Sequence, residues 1–427
     1  MPEFLKVKTA EEVLGIVQDF LPLEEQRVPL EEALGRVLSR DLHAPVDVPH
    51  FRRAVMDGYA VRARDTFGAS ESLPAILRVV GEVFMGRPAE RGVGSGEAVA
   101  IPTGGVLPEG ADAVVMVEYT QDVGDGTIEV TRPVAPGENV LGVGDDIARE
   151  SPLFPAGWRL RAQDVGVLAA VGFRHLPVFG TPRVAVISTG DEIVAPDTDV
   201  VPVGKIRDIN TFVLAAQVRE TGALPGLMRV VPDDLDLLAA VCRDALMDHD
   251  VVLFSGGSSV GARDYTVQVV NRLDGAELLV HGVAIRPGKP TILARIGSKI
   301  LWGLPGQPAS AMIVFTAFVR PCLLRLQGVD LRRSPKSAAC RAVLRRNMPS
   351  VHGRADYVRV QLWEDGCQVF AEPVFGSSAM ISTLSRADGY VIVPEHAEGY
   401  EAGTEVTVHL FGTPGFPLFR GTDRAED

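Results

Sequence analysis

Apolar positions along this chain change their spacing from one region to the next. From Arg183 onward, short continuous apolar runs alternate with segments of helical period. Arg183 to Ile187 reads as a strand, followed by a helix around Asp208 to Thr221 whose apolar positions Ile209, Phe212, Val213 and Ala216 recur at three and four; Gly222 ends it. A strand at Gly226 to Val231 leads to a helix at Leu235 to Met247, with Leu238, Val241, Cys242 and Ala245 on its inner face. Val251 to Phe254, a helix near Asp264 to Leu273, and strands near Leu278 to His281, Thr291 to Ile296 and Lys299 to Trp302 continue the alternation, before an apolar helical run from Ala309 to Leu326. Such alternation predicts a mostly parallel sheet with helices on both faces.

The flanks follow other rules. Near the N-terminus, Thr9 is placed to cap a helix from Ala10 to Asp19, and Leu30 to Ser39 repeats the helical pattern. Between Ala44 and Val143, β-branched runs such as Ile76 to Val83 and Thr127 to Thr131 are separated by Gly, Pro and Asp, giving a β-rich module of roughly a hundred residues. Ala162 to Val171 is helical with Gly172 as its stop. Beyond Gly328, short strands return at Tyr357 to Leu362, Gly389 to Pro394 and Glu405 to Leu410, which predicts a small β-barrel or sandwich.

A chain of 427 residues is too long for one ordinary core, so three or four domains are expected. Its net charge of −13, with no long basic run, argues against a nucleic-acid partner. The scattered cysteines Cys242, Cys322, Cys340 and Cys367 suit neither a zinc site nor a disulfide framework. Met1 to Asp19 lacks a signal pattern and no run reads as a bilayer span, so a cytoplasmic protein with no membrane partner is expected.

The candidate chemistry lies where strands end. Leu304-Pro305-Gly306-Gln307-Pro308 turns a strand into a helix, and the unpaired N–H groups of a helix start suit an anion. Ser188-Thr189-Gly190-Asp191-Glu192 is either a plain strand-end turn or a pair of carboxylates held for a hydroxyl, an amine or Mg²⁺. Ser255-Gly256-Gly257-Ser258, with Asp264 beyond it, is either a flexible link or a close backbone approach to phosphate. Arg286 and Lys289 flank a Pro-Gly turn that is either solvated or set to balance phosphate charge, with Lys205 and Arg207 adding to it. Three such loops in one α/β pattern point to a ligand crevice at the carboxyl ends of parallel strands. In the β-rich module, Met56-Asp57-Gly58-Tyr59, Pro102-Thr103-Gly104 and Gly144-Asp145-Asp146 each read alone as turns.

Taken in order, these motifs, with Arg207-Asp208 before Asn210 and Arg286-Pro287-Gly288-Lys289-Pro290, resemble the molybdopterin molybdenumtransferase family, which includes the gephyrin E domain. The resemblance spans nearly the whole chain. It implies a multidomain α/β plus β architecture. A helical linking domain would take 1–46 and 144–180, a β-rich insertion 47–143, a three-layer pterin-binding α/β domain 181–328, and a C-terminal β-barrel 329–427. It implies insertion of molybdate into molybdopterin adenylate with release of AMP and with Mg²⁺ as cofactor. Two other readings remain open, a tungstate-inserting paralogue and a pterin-nucleotide anhydride hydrolase that inserts no metal. The implied catalytic residues are Asp57, Thr103, Asp146, Glu192, Asp234 and Asp264, with Glu192 and Asp264 toward the metal. Ser188, Thr189, Gly190, Ser255, Gly256, Gly257, Ser258, Arg286, Lys289, Pro305, Gly306 and Pro308 would bind substrate. The implied partners are a second copy, in a homodimer with shared active sites, molybdopterin adenylyltransferase, and molybdoenzyme maturation proteins. The chain departs from the family pattern at Leu141, where a basic residue is usual, at Gln307 in place of Asn, and at Arg286 in place of Lys.

Overall fold

The computed structural model describes residues 7–256, 262–331, 338–412 and 420–421. The chain divides into two compact units, Met1–Gln26 with Gly35–Ser39 and Val178–Asp427, and Arg27–Leu34 with Arg40–Pro177.

In the first unit, six strands form one sheet in the order Leu224–Val231, Arg183–Thr189, Val251–Gly256, Lys299–Pro305, Ile292–Ile296, Ala276–His281. The first four run parallel, Ile292–Ile296 runs antiparallel to them, and Ala276–His281 pairs antiparallel with it. Apolar runs such as Val184 to Ile187 and Val251 to Phe254 are wholly buried because helices cover both faces. Val184, Val186, Leu253 and Trp302 pack on Leu214, Val218, Phe315 and Phe318, while Ala185, Ile187, Val252 and Leu301 pack on Leu238, Val241, Val269 and Val270. The Ala10–Gln18 helix joins the first of these clusters through Val13 and Val17, and Thr9 and Glu12 close a reciprocal capping box at its start.

The helical run 308–326 does reach the length and apolar content of a bilayer span, contrary to the sequence reading. Burial against the sheet accounts for it: Ala309, Ile313, Phe315, Phe318, Cys322 and Leu326 all face the core. One stretch of it, Phe315–Val319, is wound as π-helix.

The C-terminal strands Ala339–Leu344, Ala355–Asp365, Gln368–Pro373, Gly389–Val393 and Glu405–Leu410 close into a five-stranded barrel, because Ala355–Asp365 pairs with both Gln368–Pro373 and Gly389–Val393. Val360, Leu362, Val391, Val406 and Val408 fill it. The short strand Ile285–Arg286 comes from the α/β part of the chain, yet it pairs with this barrel, Ile285 opposite Ala355 and Arg286 opposite Asp356.

The second unit carries a six-stranded sheet in the order Ala113–Met116, Gly58–Val61, Glu97–Ile101, Ala75–Glu82, Thr127–Val130, Thr120–Gly124. Its side chains alternate between two cores, Ala60, Val99 and Val114 on one face and Val61, Ala98 and Val115 on the other. The helical pattern read at Leu30 to Ser39 is not borne out: only a 3₁₀ turn at Leu30–Glu32 forms. Gly35, at φ +75°, interrupts the run in a conformation that disfavours helix.

The Ala162–Ala170 helix is fastened by Asp164. Its carboxylate, 2% exposed, accepts hydrogen bonds from Arg161 N, Nε and Nη2 and from the Trp158 indole at 2.9–3.0 Å. The Arg161 guanidinium, aided by the indole and the backbone N–H and opposed by burial, lowers the carboxyl to about 2. A folded-state value below that of the unfolded chain means this stabilisation is complete above about pH 4 and is lost as pH falls toward the folded value. Asp164→Asn should therefore lower the Tm at pH 7 and flatten its fall between about pH 4 and pH 2. Parallel Tm curves for the two proteins over that window would refute the assignment.

Candidate functional site

The parallel strands end in register. Thr189 lies opposite both Val231 and Gly256, and Gly256 opposite Pro305, so three of the predicted positions share one row across the sheet. The row is tight. A Cβ on Gly256 would come within 2.0 Å of the Thr189 methyl carbon, which explains a glycine there without any turn. One residue earlier, Ser188 is fully buried and exchanges a 2.8 Å hydrogen bond with Thr211, so its hydroxyl anchors the next helix.

Acidic groups gather at the same edge. Thr189 Oγ1 donates to Asp233 at 2.6 Å, and the Asp233 backbone N–H donates to Asp191 at 3.2 Å. Asp234 caps the Leu235–Asp248 helix by accepting from Leu237 N at 2.9 Å, so the link to the strand end runs through its neighbour Asp233. Glu192 follows Gly190, whose φ is +155°. Lys205 and Arg207, read as phosphate partners, instead donate to the carbonyls of Asp191, Pro196 and Thr198 and hold their own loop together. Asn210 ties two strand ends, donating to Ser255 Oγ at 2.7 Å and to the Gly306 carbonyl at 2.8 Å. Gly257 and Ser258 lie outside the described residues; Asp264 belongs to the Ala262–Asn271 helix, and its side chain is likewise outside them.

Beside Gly256 and Pro305 opens a cavity of about 820 Å³. Arg286, Lys289 and Gly306 from the α/β part line it together with Arg354, Asp356, Arg359, Phe375, Ser377 and Ser378 from the barrel. Sequence reading passed over these barrel residues. The available signal was Arg359, a charge inside the apolar strand Tyr357 to Leu362. Arg359 is 8% exposed, and burial lowers the pKa of its guanidinium. One of its bonds goes to the Gly376 carbonyl at 3.2 Å, while its Nη1, like the Nε of Arg354, is buried with no partner among the described residues. The four cationic side chains that line the cavity, Arg286, Lys289, Arg354 and Arg359, suit it to an anion.

The helix start at Pro308 is less open than the sequence suggested. Ala309 N donates to the Ser378 carbonyl at 3.3 Å, and the N–H groups of Ser310 and Ala311 both reach Gln307 O at 3.0 Å. The Gln307 side-chain carbonyl also accepts from the Ser378 hydroxyl, so the extra methylene relative to Asn reaches the barrel. The anion character of this region therefore rests on side-chain cations more than on the helix terminus.

In the second unit, Asp57 and Thr103 meet. The Asp57 carboxylate accepts from Thr103 N at 2.6 Å and from Thr103 Oγ1 at 2.8 Å. These bonds, the backbone one foremost, hold the exposed carboxyl below its ordinary value. Asp57-Gly58 is not the tip of a hairpin: Gly58 begins a strand, where a Cβ would lie 1.9 Å from the Val115 carbonyl oxygen. Asp146 is exposed beyond the far end of the pairing of Ala54 with Val140 and Arg53 with Leu141, with its backbone bonded to Val48.

Comparison with known proteins covers almost the full length. Residues 7–172 match the model of the MoeA N-terminal region (domain I and II), 185–325 the probable molybdopterin binding domain, and 341–411 the MoeA C-terminal region (domain IV). The molybdopterin molybdenumtransferase of Bacillus subtilis is 34% identical over 91% of this chain and 90% of its own. That of Staphylococcus aureus (strain MSSA476) is 31% identical over 95% of each. The crystal structure of a molybdopterin biosynthesis MoeA protein from Pyrococcus horikosii superposes with a TM-score of 0.81 at 40% identity, covering 96% of this chain and all of that one.

Thr103→Val removes the hydroxyl donor and keeps the backbone one. It should raise the Asp57 pKa part of the way toward its ordinary value in an NMR titration; an unmoved pKa would show that the hydroxyl contributes nothing.

Proposed function

Since the chain belongs to the molybdopterin molybdenumtransferase family and so to the enzymes of molybdenum cofactor biosynthesis, we propose that it inserts molybdate into molybdopterin adenylate and releases AMP. The observation that carries this reading is the cavity lined by the cationic donors Arg286, Lys289, Arg354 and Arg359. A tetrahedral oxyanion and a phosphoanhydride are both anionic and rich in acceptors, so these donors serve both. The neighbouring strand ends give the pterin phosphate small residues to approach, at Gly256 and Gly306. Cations fixed beside the anhydride also favour the charge that develops on the departing AMP phosphate.

Mg²⁺ fits the donor chemistry of the acidic edge. Among the described residues no three His, Cys, Asp or Glu side chains converge on one point. A cation that uses one or two carboxylates and takes the rest of its oxygens from phosphate and water needs no such cage. Glu192 and Asp264 would hold it, and when bound it would neutralise phosphate charge. Asp57, oriented by Thr103, would serve as a negative group toward substrate.

The test is incubation of the pure protein with molybdopterin adenylate, Mg²⁺ and either molybdate or tungstate, following AMP and metal incorporation. Molybdate-dependent AMP release with incorporated molybdenum is expected. AMP release without either oxyanion would favour the anhydride hydrolase, and a preference for tungstate the paralogue. Arg359→Gln should raise the molybdate concentration for half-maximal release by roughly tenfold, about 1.4 kcal/mol of binding. An unaltered molybdate dependence would remove Arg359 from the site.

The reading includes a homodimer with shared sites. Mixing Asp57→Ala chains with Asp264→Ala chains should then return part of the activity, since each mixed dimer holds one intact site. No recovery under conditions of proven subunit exchange would assign each site to a single chain.

A further inference from the structure

Asp356 is a buried carboxylate on the wall of a cavity whose other charged lining residues, Arg286, Lys289, Arg354 and Arg359, are all cations. It is 4% exposed, accepts a 2.8 Å hydrogen bond from Ser350 Oγ, and lies 3.6 Å from Arg286 Nη1. The pairing is set by backbone register, because Arg286 stands directly opposite Asp356 where Ile285–Arg286 joins the barrel sheet. The Arg286 side chain is itself half exposed. A long, exposed cation loses conformational freedom when it binds a ligand, and a fixed counter-charge spends that entropy in advance.

A negative group in an anion cavity has two opposed effects. It repels the ligand through space, and it holds the arginine where the ligand needs it. Ser350 holds the carboxylate on a strand of the barrel, so the second effect has a firm base. We infer that Asp356 is a positioning residue for oxyanion binding, acting through Arg286; the inference rests on the oxyanion reading of this cavity.

The experiment is equilibrium titration of the full chain with molybdate alone at fixed ionic strength, for wild type, Arg286→Gln, Asp356→Asn and the double variant. Asn keeps the volume and the ability to accept from Ser350. Asp356→Asn should weaken molybdate binding several-fold, and it should cost nothing further once Arg286 is Gln, since two residues that act as one unit are not additive. Tighter binding in Asp356→Asn would show that repulsion is all the carboxylate does, unchanged binding that it gives no net help, and either would overturn the inference. So would two costs that simply add. Should Asp356→Asn not fold, Ser350→Ala gives the same test by loosening the carboxylate without changing the charge; it should weaken binding only while Arg286 is present. If wild type and Arg286→Gln both fail to bind molybdate, the oxyanion reading itself falls, a result separate from tight binding that merely ignores Asp356.

Discussion

The in-register ending of the parallel strands is the constraint on which the rest of the α/β part depends. Thr189, Gly256 and Pro305 fall in one row because their strands are hydrogen-bonded without slip at that end. A one-residue shift would turn each of these side chains to the opposite face. The packing also fixes identities. Gly256 has no room for a Cβ beside Thr189, and Asn210 spans from Ser255 to Gly306, holding adjacent loops at a set separation. The acidic edge and the cavity both open from this row.

The cavity illustrates how a site can be assembled from parts of the chain with different structural duties. Its floor is the strand-end row, whose shape is set by sheet packing. Its other wall is the barrel, where Arg359 and Asp356 are buried on a strand of the closed sheet. Between them, Ile285–Arg286 is shared, following the α/β part in sequence and pairing with the barrel in space. Cations brought together in this way would repel one another. The buried carboxylate of Asp356 and the carbonyl of Gly376 offset part of that cost, and an anionic ligand would offset more.

Asp57 and Thr103 show a different device. Forty-six residues apart in sequence, they are joined by a two-point hydrogen bond at one end of a sheet that is buried on both faces. The bond orients an exposed carboxylate and holds its pKa below the ordinary value, and the adjacent Gly58 lets the neighbouring strand approach closely. Family membership then attaches a chemistry to these local arrangements, which on geometry alone would be strand-end turns and a charged cleft.

By itself, the sequence determined the alternating α/β core, because continuous apolar runs and helical spacing record burial on both faces of a sheet. It also determined the β character of the two flanking regions and the capped helix at Thr9, since caps, turn residues and β-branched runs act over a few positions. The strand-end motifs at Thr189, Gly256 and Pro305 were legible for the same reason. Tertiary structure alone decided which charged residues meet. Lys205 and Arg207 are close in sequence to the predicted site yet are drawn to their own loop carbonyls, while Arg354 and Arg359, far away in sequence, line the cavity. It decided that Asp233 bonds Thr189 while Asp234 caps a helix, a choice between neighbours that only backbone direction can make. It also decided that Pro308 starts a helix whose first donors are already taken by Gln307 and Ser378. Long-range pairing has no periodic signature, so such partners follow from how strands close and register, which only the folded chain specifies.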